Sequence, residues 1–179
     1  MYSPSEDSFL MSETLRNNLK NKDKTIKILD MGTGSGIQAL TLKNLGFKNI
    51  LAADIDKESI KFARTRGIRV INSDLFSNIK SKFGIIIFNP PYLPENKHDR
   101  KQDTSGGRVG DETIIKFLKQ ARFHLNENSQ IILLVSSLTP HNRVNSIIKK
   151  YFKKQILAEK RIFFEKLEIW LLTKNKITS

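Results

Sequence analysis

Three aspartates lie at the ends of short apolar runs, where carboxylates can bind polar ligands. Asp30 and Asp54 end Ile-rich runs, and Asp74 follows a third. If these runs are parallel strands, their carboxyl ends meet at one sheet edge, where ligands bind in α/β folds. There Asp54 can bind both hydroxyls of a ribose, and Asp74 can accept from an exocyclic amino group, with Leu75 beside the ring. A lone aspartate after a strand is more often a turn or cap, and Asp56 is interpreted as the N-cap of the next helix.

A glycine-rich loop follows the first of these runs. Gly32, Gly34 and Gly36 occupy every second position, and Asp30 precedes them by two residues. Glycines allow a sharp turn and a close backbone approach to a ligand. The spacing differs from the dinucleotide pattern G-x-G-x-x-G, and Asp30 would repel a pyrophosphate and attract a cation. The loop therefore favours a ligand with an amino group and a sulfonium, and a nicotinamide dehydrogenase is the weakest alternative.

The tetrapeptide Asn89-Pro90-Pro91-Tyr92 follows a fourth apolar run. Two prolines end the strand and stiffen the turn. The Asn89 side-chain oxygen and the Pro90 carbonyl can accept from both N–H groups of a planar nitrogen, turn its lone pair toward a methyl carbon and stabilise the developing charge. Tyr92 can pack on the planar group. The motif therefore predicts methylation of an amide or aromatic amino group by alignment rather than by a strong base, and an ordinary turn is the structural alternative.

The order of apolar runs and helix-like segments predicts the fold. Short Ile-rich runs are typical of buried parallel strands, and apolar residues at helical spacing indicate helices between them. The predicted strands are Ile26–Met31, Ile50–Ile55, Ile68–Ile71, Gly84–Phe88 and Ile131–Val135, then Ile156–Ile162 and Leu167–Thr173. The predicted helices are Gly36–Leu45, Lys57–Arg66, Asp111–Leu125 and His141–Phe152. This alternation predicts an α/β fold with a mostly parallel seven-stranded sheet, a C-terminal antiparallel hairpin and helices on both faces.

Another helix is predicted before the first strand. Ser3-x-x-Glu6 is a capping box, and Pro4 fits the first helical position. The apolar stripe of this helix recurs every four residues, at Met11, Leu15 and Leu19. We expect residues 1–179 to form a single domain in which the helix within residues 1–22 covers the cofactor site; the alternative is a helix that only covers the sheet. The long irregular stretch Leu93–Gly110 has a length that is usually functional.

Composition and charge exclude several classes of protein. The chain has 179 residues, a formal net charge of +13 and 39% hydrophobic residues, which is enough for a core. The absence of cysteine excludes a disulfide scaffold, a catalytic thiol and a thiolate zinc site, and three scattered histidines, His98, His124 and His141, do not suggest a metal cluster. Short apolar runs and the lack of a signal-peptide pattern predict a soluble, cytoplasmic protein. The positive charge indicates either an acidic partner or compositional bias.

These motifs together resemble a known family. The glycine loop and the three aspartates resemble the S-adenosylmethionine site of the class I methyltransferases, which have a Rossmann-like fold. The tetrapeptide resembles that of DNA adenine-N6 methyltransferases and of HemK-type enzymes, which methylate a glutamine in translation release factors. The opening Tyr2–Leu10 and the segment Gly106-Gly107-Arg108-x-Gly110 resemble the archaeal and eukaryotic branch of the HemK-type enzymes. The short chain, with little room for a base-reading domain, favours the same branch.

The resemblance implies a donor, an acceptor and a set of site residues. The donor is S-adenosylmethionine, and the acceptor is the glutamine of a Gly-Gly-Gln motif in a class-1 release factor. The implied cofactor residues are Ser8, Asp30, Gly32, Asp54, Asp74, Leu75 and Asn89, with Gly34 and Gly36 of the loop. The implied substrate clamp is Asn89, Pro90, Pro91 and Tyr92. Two features depart from the family: Asp30 replaces a frequent Glu, and the loop Leu93–Val109 is unusually rich in lysine.

The resemblance also implies a partner. In this branch a small zinc-binding activator often adds to the edge of the sheet, and Arg69–Asn72 is the expected edge strand. The sequence itself predicts no metal site.

Three alternatives stay open. A nucleic-acid amino-methyltransferase fits the tetrapeptide and the net positive charge, and a continuous basic stripe leading to Asn89 would support it. A protein-lysine methyltransferase is a further alternative, because some relatives are credited with that activity. A non-catalytic binding subunit on the same fold would not need Asp30, Asp54, Asp74 and Asn89, all of which are present.

Overall fold

The computed structural model describes residues 5–91 and 110–175, which form five helices and seven strands. The helices are α1 (Glu6–Leu19), α2 (Ile37–Asn44), α3 (Lys57–Thr65), α4 (Glu112–Ala121) and α5 (His141–Tyr151). The strands are β1 (Ile28–Met31), β2 (Ile50–Asp54), β3 (Val70–Asn72), β4 (Phe83–Phe88), β5 (Leu125–Ser136), β6 (Phe152–Ile162) and β7 (Glu165–Lys174).

All seven strands belong to one sheet in the order β3-β2-β1-β4-β5-β7-β6. The first five are parallel, and β7 runs antiparallel between β5 and β6. The predicted parallel sheet with a C-terminal antiparallel hairpin is therefore confirmed. The strand order reverses between β1 and β4, so the crevice above these strands is where this architecture binds ligands.

Successive residues of the central strands pack on opposite faces of the sheet. Leu29 and Met31 of β1 belong to a buried cluster that includes Phe117 of α4. Ile28 lies on the opposite face of β1 and belongs to a second cluster, with Leu15 of α1. Because both faces of a parallel strand are covered, its residues are mostly apolar, as the Ile-rich runs predicted.

Helix α1 begins later than its capping box predicted. Its first residue is Glu6 and its N-cap is Ser5, whose hydroxyl donates to Asp7 Oδ1 at 2.8 Å instead of capping the helix. Ser3 and Pro4 lie outside the described residues. The predicted apolar stripe is confirmed, since its members are fully buried: Met11, Leu15 and Leu19.

The predicted helix Asp111–Leu125 is too long, and the strand after it begins earlier than expected. Helix α4 ends at Ala121, and β5 begins at Leu125. The Phe83 N–H donates to the His124 carbonyl at 2.8 Å, and Phe83 pairs with Leu125 in the sheet. Pairing with β4 therefore draws these residues out of the helix.

The edges of the sheet are β3 and β6. Strand β3 was predicted as an edge strand from Arg69–Asn72, and this is confirmed. No helix in residues 5–91 and 110–175 is long and apolar enough to cross a membrane. The same residues contain no group of three or more His, Cys, Asp or Glu that could hold a metal ion. Tyr92 and most of the predicted loop Leu93–Gly110 lie outside the described residues.

Candidate functional site

A cavity of about 490 Å³ opens at the carboxyl edge of the parallel strands. Its walls come from the start of α1, from the turns after β1 to β4, and from α4. The cavity brings together most of the predicted site residues: Ser8, Asp30, Gly32, Gly34, Asp54, Asp74, Leu75, Asn89, Pro90 and Pro91. Gly36 is not part of the lining, and Tyr92 lies outside the described residues.

The glycine loop connects β1 to α2 with three residues in the left-handed region. Gly32 and Gly34 have φ of +61° and +51°, and the Gly34 N–H donates to Asp54 Oδ2 at 2.8 Å. Gly36 has φ +77°, and a Cβ there would lie 2.4 Å from Ile68 Cδ1. The first two glycines therefore shape the cavity wall, whereas Gly36 allows α2 to begin close against the segment before β3.

Asp30 lies buried under this loop. Its Oδ2 accepts from Thr33 Oγ1 at 2.6 Å and from the Ala39 N–H at 3.1 Å, so the carboxylate ties the loop to α2. Burial raises the pKa of Asp30 to about 7, although both hydrogen bonds oppose that rise. A cation in the cavity would favour the ionised form and lower this pKa. Thr33 was not singled out from the sequence, because a threonine inside a glycine loop has no distinctive spacing.

Asp54 ends β2 at the cavity wall. Its Oδ1 accepts from the Asp56 N–H at 2.9 Å, and burial raises the pKa of Asp54. Asp56 is the N-cap of α3, as predicted, and its Oδ2 accepts from the Ser59 N–H at 2.8 Å. Hydrogen bonds from Ser59 lower the pKa of Asp56. Both aspartates line the cavity, so the end of β2 and the start of α3 present two carboxylates to a ligand.

Asp74 and Leu75 follow β3 on the far wall. Asp74 is half-exposed and accepts from Lys116 Nζ at 2.7 Å. Leu75 is buried at φ +48°, and its carbonyl accepts from Ser73 Oγ at 2.6 Å. The turn therefore places a carboxylate and an apolar side chain side by side. Lys116 is a site residue that sequence reasoning missed, because it comes from α4, 42 positions later.

Asn89 is held in one orientation by a buried carboxylate. Its Nδ2 donates to Asp7 Oδ2 at 3.1 Å, while its Oδ1 is buried and finds no hydrogen-bond donor among the described residues. Asp7 is 3% exposed, and its Oδ1 accepts from the Ser8 N–H at 2.6 Å and from Ser5 Oγ. The amide nitrogen is thus occupied, and the amide oxygen is left for a ligand.

Helix α1 supplies part of the site rather than only covering the sheet. Asp7 and Ser8 line the cavity, and the Ser8 carbonyl accepts from Gln38 Nε2 at 3.0 Å. Gln38 Oε1 accepts in turn from Ser12 Oγ at 3.0 Å, which joins α1 to α2. Asp7 was missed from the sequence because an acid in the first turn of a helix is adequately explained by the helix dipole.

The charge of the cavity is opposite to that of the chain. Its described lining contains five carboxylates and one ammonium group, that of Lys116. Four cations instead line a second cavity at the opposite edge of the sheet: Lys27, Lys43, Lys48 and Arg69. Within the described part of the chain, no basic stripe of the lining leads to Asn89, so the cavity suits a cationic ligand better than a phosphate backbone.

The known proteins that this chain resembles are methyltransferases. The family described as "Methyltransferase small domain" matches residues 8–165. A Methanocaldococcus jannaschii protein named "Putative protein N5-glutamine methyltransferase" is 33% identical, and the match covers 94% of this chain and 89% of that protein. Ribosomal RNA small subunit methyltransferase C of Haemophilus influenzae is 30% identical, with 83% of this chain and 43% of that protein covered.

A solved structure has the same fold along almost the whole chain. It is that of the E. cuniculi Mtq2–Trm112 complex, described as responsible for methylation of the translation termination factor eRF1. Its matching chain has a TM-score of 0.76 and 22% identity, with 97% of this chain and 98% of that chain covered.

Proposed function

We propose that this chain, which belongs to the methyltransferase small domain family and is an S-adenosylmethionine-dependent methyltransferase, methylates the side-chain amide of a protein glutamine. The observation that carries the proposal is the Asn89 side chain, whose nitrogen is held by Asp7 and whose buried oxygen has no donor among the described residues. An unsatisfied buried acceptor costs about 1–3 kcal/mol, so an N–H group of a ligand is expected to bind there.

The cavity residues fit the methyl donor, which carries an amino group, a sulfonium, a ribose and an adenine. We assign Asp30 and the glycine loop to the cationic end, Asp54 to the ribose, and Asp74 with Leu75 to the adenine. When bound, the donor supplies an electrophilic methyl carbon on a positively charged sulfur. The proposed cofactor residues are Ser8, Asp30, Gly32, Gly34, Gly36, Asp54, Asp74, Leu75 and Asn89. Gly36 acts through the shape of the loop.

The acceptor amide needs alignment because its nitrogen lone pair is delocalised. Asn89 Oδ1 and the Pro90 carbonyl accept from the two N–H groups, which turns the lone pair toward the methyl carbon. As the N–C bond forms, the bond between the methyl carbon and the sulfur would break and leave its electron pair on the sulfur. Positive charge then develops on the nitrogen, and both oxygen dipoles stabilise it. The nitrogen then loses one proton, which has become acidic, to solvent water, so no strong base is required. Pro91 stiffens the turn, and Tyr92, outside the described residues, is proposed to pack on the amide plane.

The proposed acceptor is the glutamine of the Gly-Gly-Gln motif in a class-1 release factor. The resemblance of the opening segment and of the tetrapeptide to the release-factor branch supports this acceptor. The M. jannaschii relative, named for glutamine methylation, supports it over nearly the full length of both chains. Release factors act on cytoplasmic ribosomes, so we also propose a cytoplasmic location.

An amino group of ribosomal RNA is the second candidate acceptor. The H. influenzae relative favours it, although this chain covers only 43% of that protein. The predominantly acidic lining argues against it, because a phosphate backbone would approach five carboxylates. A lysine acceptor is less well suited to the Asn89–Pro90 pair, because its ammonium group must lose a proton before it can attack.

We propose further that an activator subunit adds to the β3 edge. Strand β3 pairs only with β2 within the described sheet, so its other side can bind a partner strand. The E. cuniculi structure, which contains two proteins, supports a partner of this kind. That this activator binds zinc is implied only by the family resemblance. The backbone groups of Val70 face away from β2, because Arg69 and Ser73 on either side of it make the bonds to β2. A co-purified subunit that is lost when Val70 is replaced by proline, which removes an outward N–H, would support the proposal.

Methylation of a purified release factor tests the acceptor. The chain, alone and co-expressed with the activator, is incubated with S-adenosylmethionine and release factor, and mass spectrometry locates the added methyl group. We expect it on the Gly-Gly-Gln glutamine. A release factor with that glutamine replaced by alanine is the control, and equal methylation of this control refutes the proposal. Methylation of 16S ribosomal RNA in its place would favour the second candidate.

A further inference from the structure

Two phenylalanines form the turn between β6 and β7. Ile162 pairs with Glu165, so Phe163 and Phe164 are the whole loop, and each is 99% exposed. Two-residue hairpin turns favour Asn and Gly, and Phe163 has φ +45°, a region that bulky residues rarely adopt. Neither burial nor turn geometry within the described chain explains two aromatic residues at this position.

Phe123, another strongly exposed phenylalanine, has a local partner. Phe123 is 60% exposed, and the Arg122 guanidinium lies 4.1 Å from its ring centroid. In the described structure no cation or aromatic ring lies over Phe163 or Phe164. An apolar pair that is fully exposed and conformationally unfavourable indicates selection for contact with another molecule.

The turn lies on the same edge of the sheet as the cavity. Through β5 and β7, Phe88 is level with Trp170 and Ile156, and β6 then continues in the carboxyl direction to Ile162. With about 3.3 Å per residue and 4.8 Å per strand, the turn lies roughly 20 Å from Asn89.

An ion pair connects this hairpin to the wall of the cavity. Lys160 Nζ contacts Glu6 Oε2, and Glu6 precedes Asp7, which holds Asn89. Helix α1 also contacts both β6 and β7. The turn therefore projects from the rim of the site on a strand pair that is packed against the site's own helix.

We propose that Phe163 and Phe164 are a docking surface for the acceptor protein, an inference that rests on the proposed function. A protein interface covers about 800 Å² per partner, a disc roughly 30 Å across. A disc of that diameter spans the roughly 20 Å between Asn89 and the turn, so one folded protein that delivers a glutamine to Asn89 can contact both. A peptide of a few residues around that glutamine does not reach the turn. Phenylalanine, like tyrosine and tryptophan, is enriched in the cores of protein interfaces.

Steady-state methylation of two substrates tests this inference. A whole class-1 release factor is compared with a seven-residue peptide that contains its Gly-Gly-Gln motif. For Phe163→Ala/Phe164→Ala we expect KM for the whole protein to rise at least about tenfold. We expect kcat, the donor affinity and the rate with the peptide to stay unchanged.

Two further variants separate docking from folding. Phe163→Gly/Phe164→Asn puts glycine at the turn position that has positive φ, so it should fold well and still lose affinity for the whole protein. Phe123→Ala removes an exposed phenylalanine at the opposite edge and should leave KM unchanged.

An unchanged KM for the whole protein overturns the inference, as does an equal loss with the peptide, which would place the effect within the site. The inference is also overturned if the double variant binds RNA more weakly but keeps the native KM for the whole protein. If the native chain methylates neither substrate, the proposed acceptor fails and the docking inference fails with it.

Discussion

Replacing Asp7 by asparagine should reverse the Asn89 amide. Asp7 Oδ1 accepts from the Ser8 N–H at 2.6 Å, and its Oδ2 accepts from Asn89 Nδ2 at 3.1 Å. An asparagine at position 7 has one oxygen and one NH2 group, so one of these two donors must face another donor. The backbone N–H of Ser8 cannot turn, whereas the Asn89 amide can rotate. The Asn89 NH2 then points toward the acceptor, where an oxygen is required.

The expected loss follows from the role of that oxygen. A preorganised hydrogen-bonding group that stabilises developing charge contributes about 10²–10³ in kcat, or about 2.7–4 kcal/mol. Asp7→Asn should therefore lower kcat by about that factor. Donor affinity, measured by calorimetry, should change much less, because Asp30, Asp54 and Asp74 are retained.

Two controls isolate the effect. Ser5→Ala removes a hydroxyl that donates to Asp7 without touching Asn89, so its kcat should stay near that of the native chain. If Asp7 acts through Asn89, then Asp7→Asn should add nothing to Asn89→Ala, and the double variant should match Asn89→Ala. A kcat for Asp7→Asn within about threefold of the native value, against this factor of 10²–10³, would refute the reasoning.

Three other predictions concern Asp30, Asp54 and the glycine loop. Burial raises the pKa of Asp30 from 3.8 to about 7, so its contribution to the unfolding free energy is greatest below about pH 4 and is lost as pH rises through about 7. Asp30→Asn should remove this dependence, which chemical denaturation between pH 4 and 8 measures; an unchanged slope contradicts the assignment. Asp54→Ala should weaken donor binding about tenfold or more, since it also releases the Gly34 N–H, and calorimetry showing native affinity would remove Asp54 from the site. Gly36→Ala should lower the melting temperature more than Gly34→Ala, because only its Cβ meets a neighbour, Ile68 Cδ1 at 2.4 Å. Ile68→Val should recover part of that loss, and equal melting temperatures for the two glycine variants would contradict the packing argument.

The parts of the site that are encoded locally could be predicted from the sequence. Asp30, Asp54 and Asp74 each follow an apolar run, and parallel strands bring such ends to one edge whatever the details of packing. The Asn89–Pro91 turn was predictable for the same reason, since it directly follows a buried strand. The sheet followed from the alternation of apolar runs and helical periodicity.

The parts that depend on distant pairing could not be predicted. Asp7 contacts Asn89 across 82 positions, and Lys116 contacts Asp74 across 42, and neither pair has a recognisable spacing. The boundary between α4 and β5 depends on pairing with Phe83, which overrides the helical pattern up to Leu125. Gly36 looked like a ligand residue because it continues the glycine spacing, whereas its close neighbour is Ile68.

The contact between Asp7 and Asn89 also determines how heat should inactivate the enzyme. Asp7 belongs to the first helix, which can separate from a domain at a lower free energy than global unfolding requires. The donor-facing aspartates belong instead to the central sheet. Warming should therefore abolish turnover while the sheet still gives its native circular dichroism and the donor still binds through Asp30 and Asp54, more weakly without Ser8 of α1. Thermal inactivation of this protein should begin before it melts.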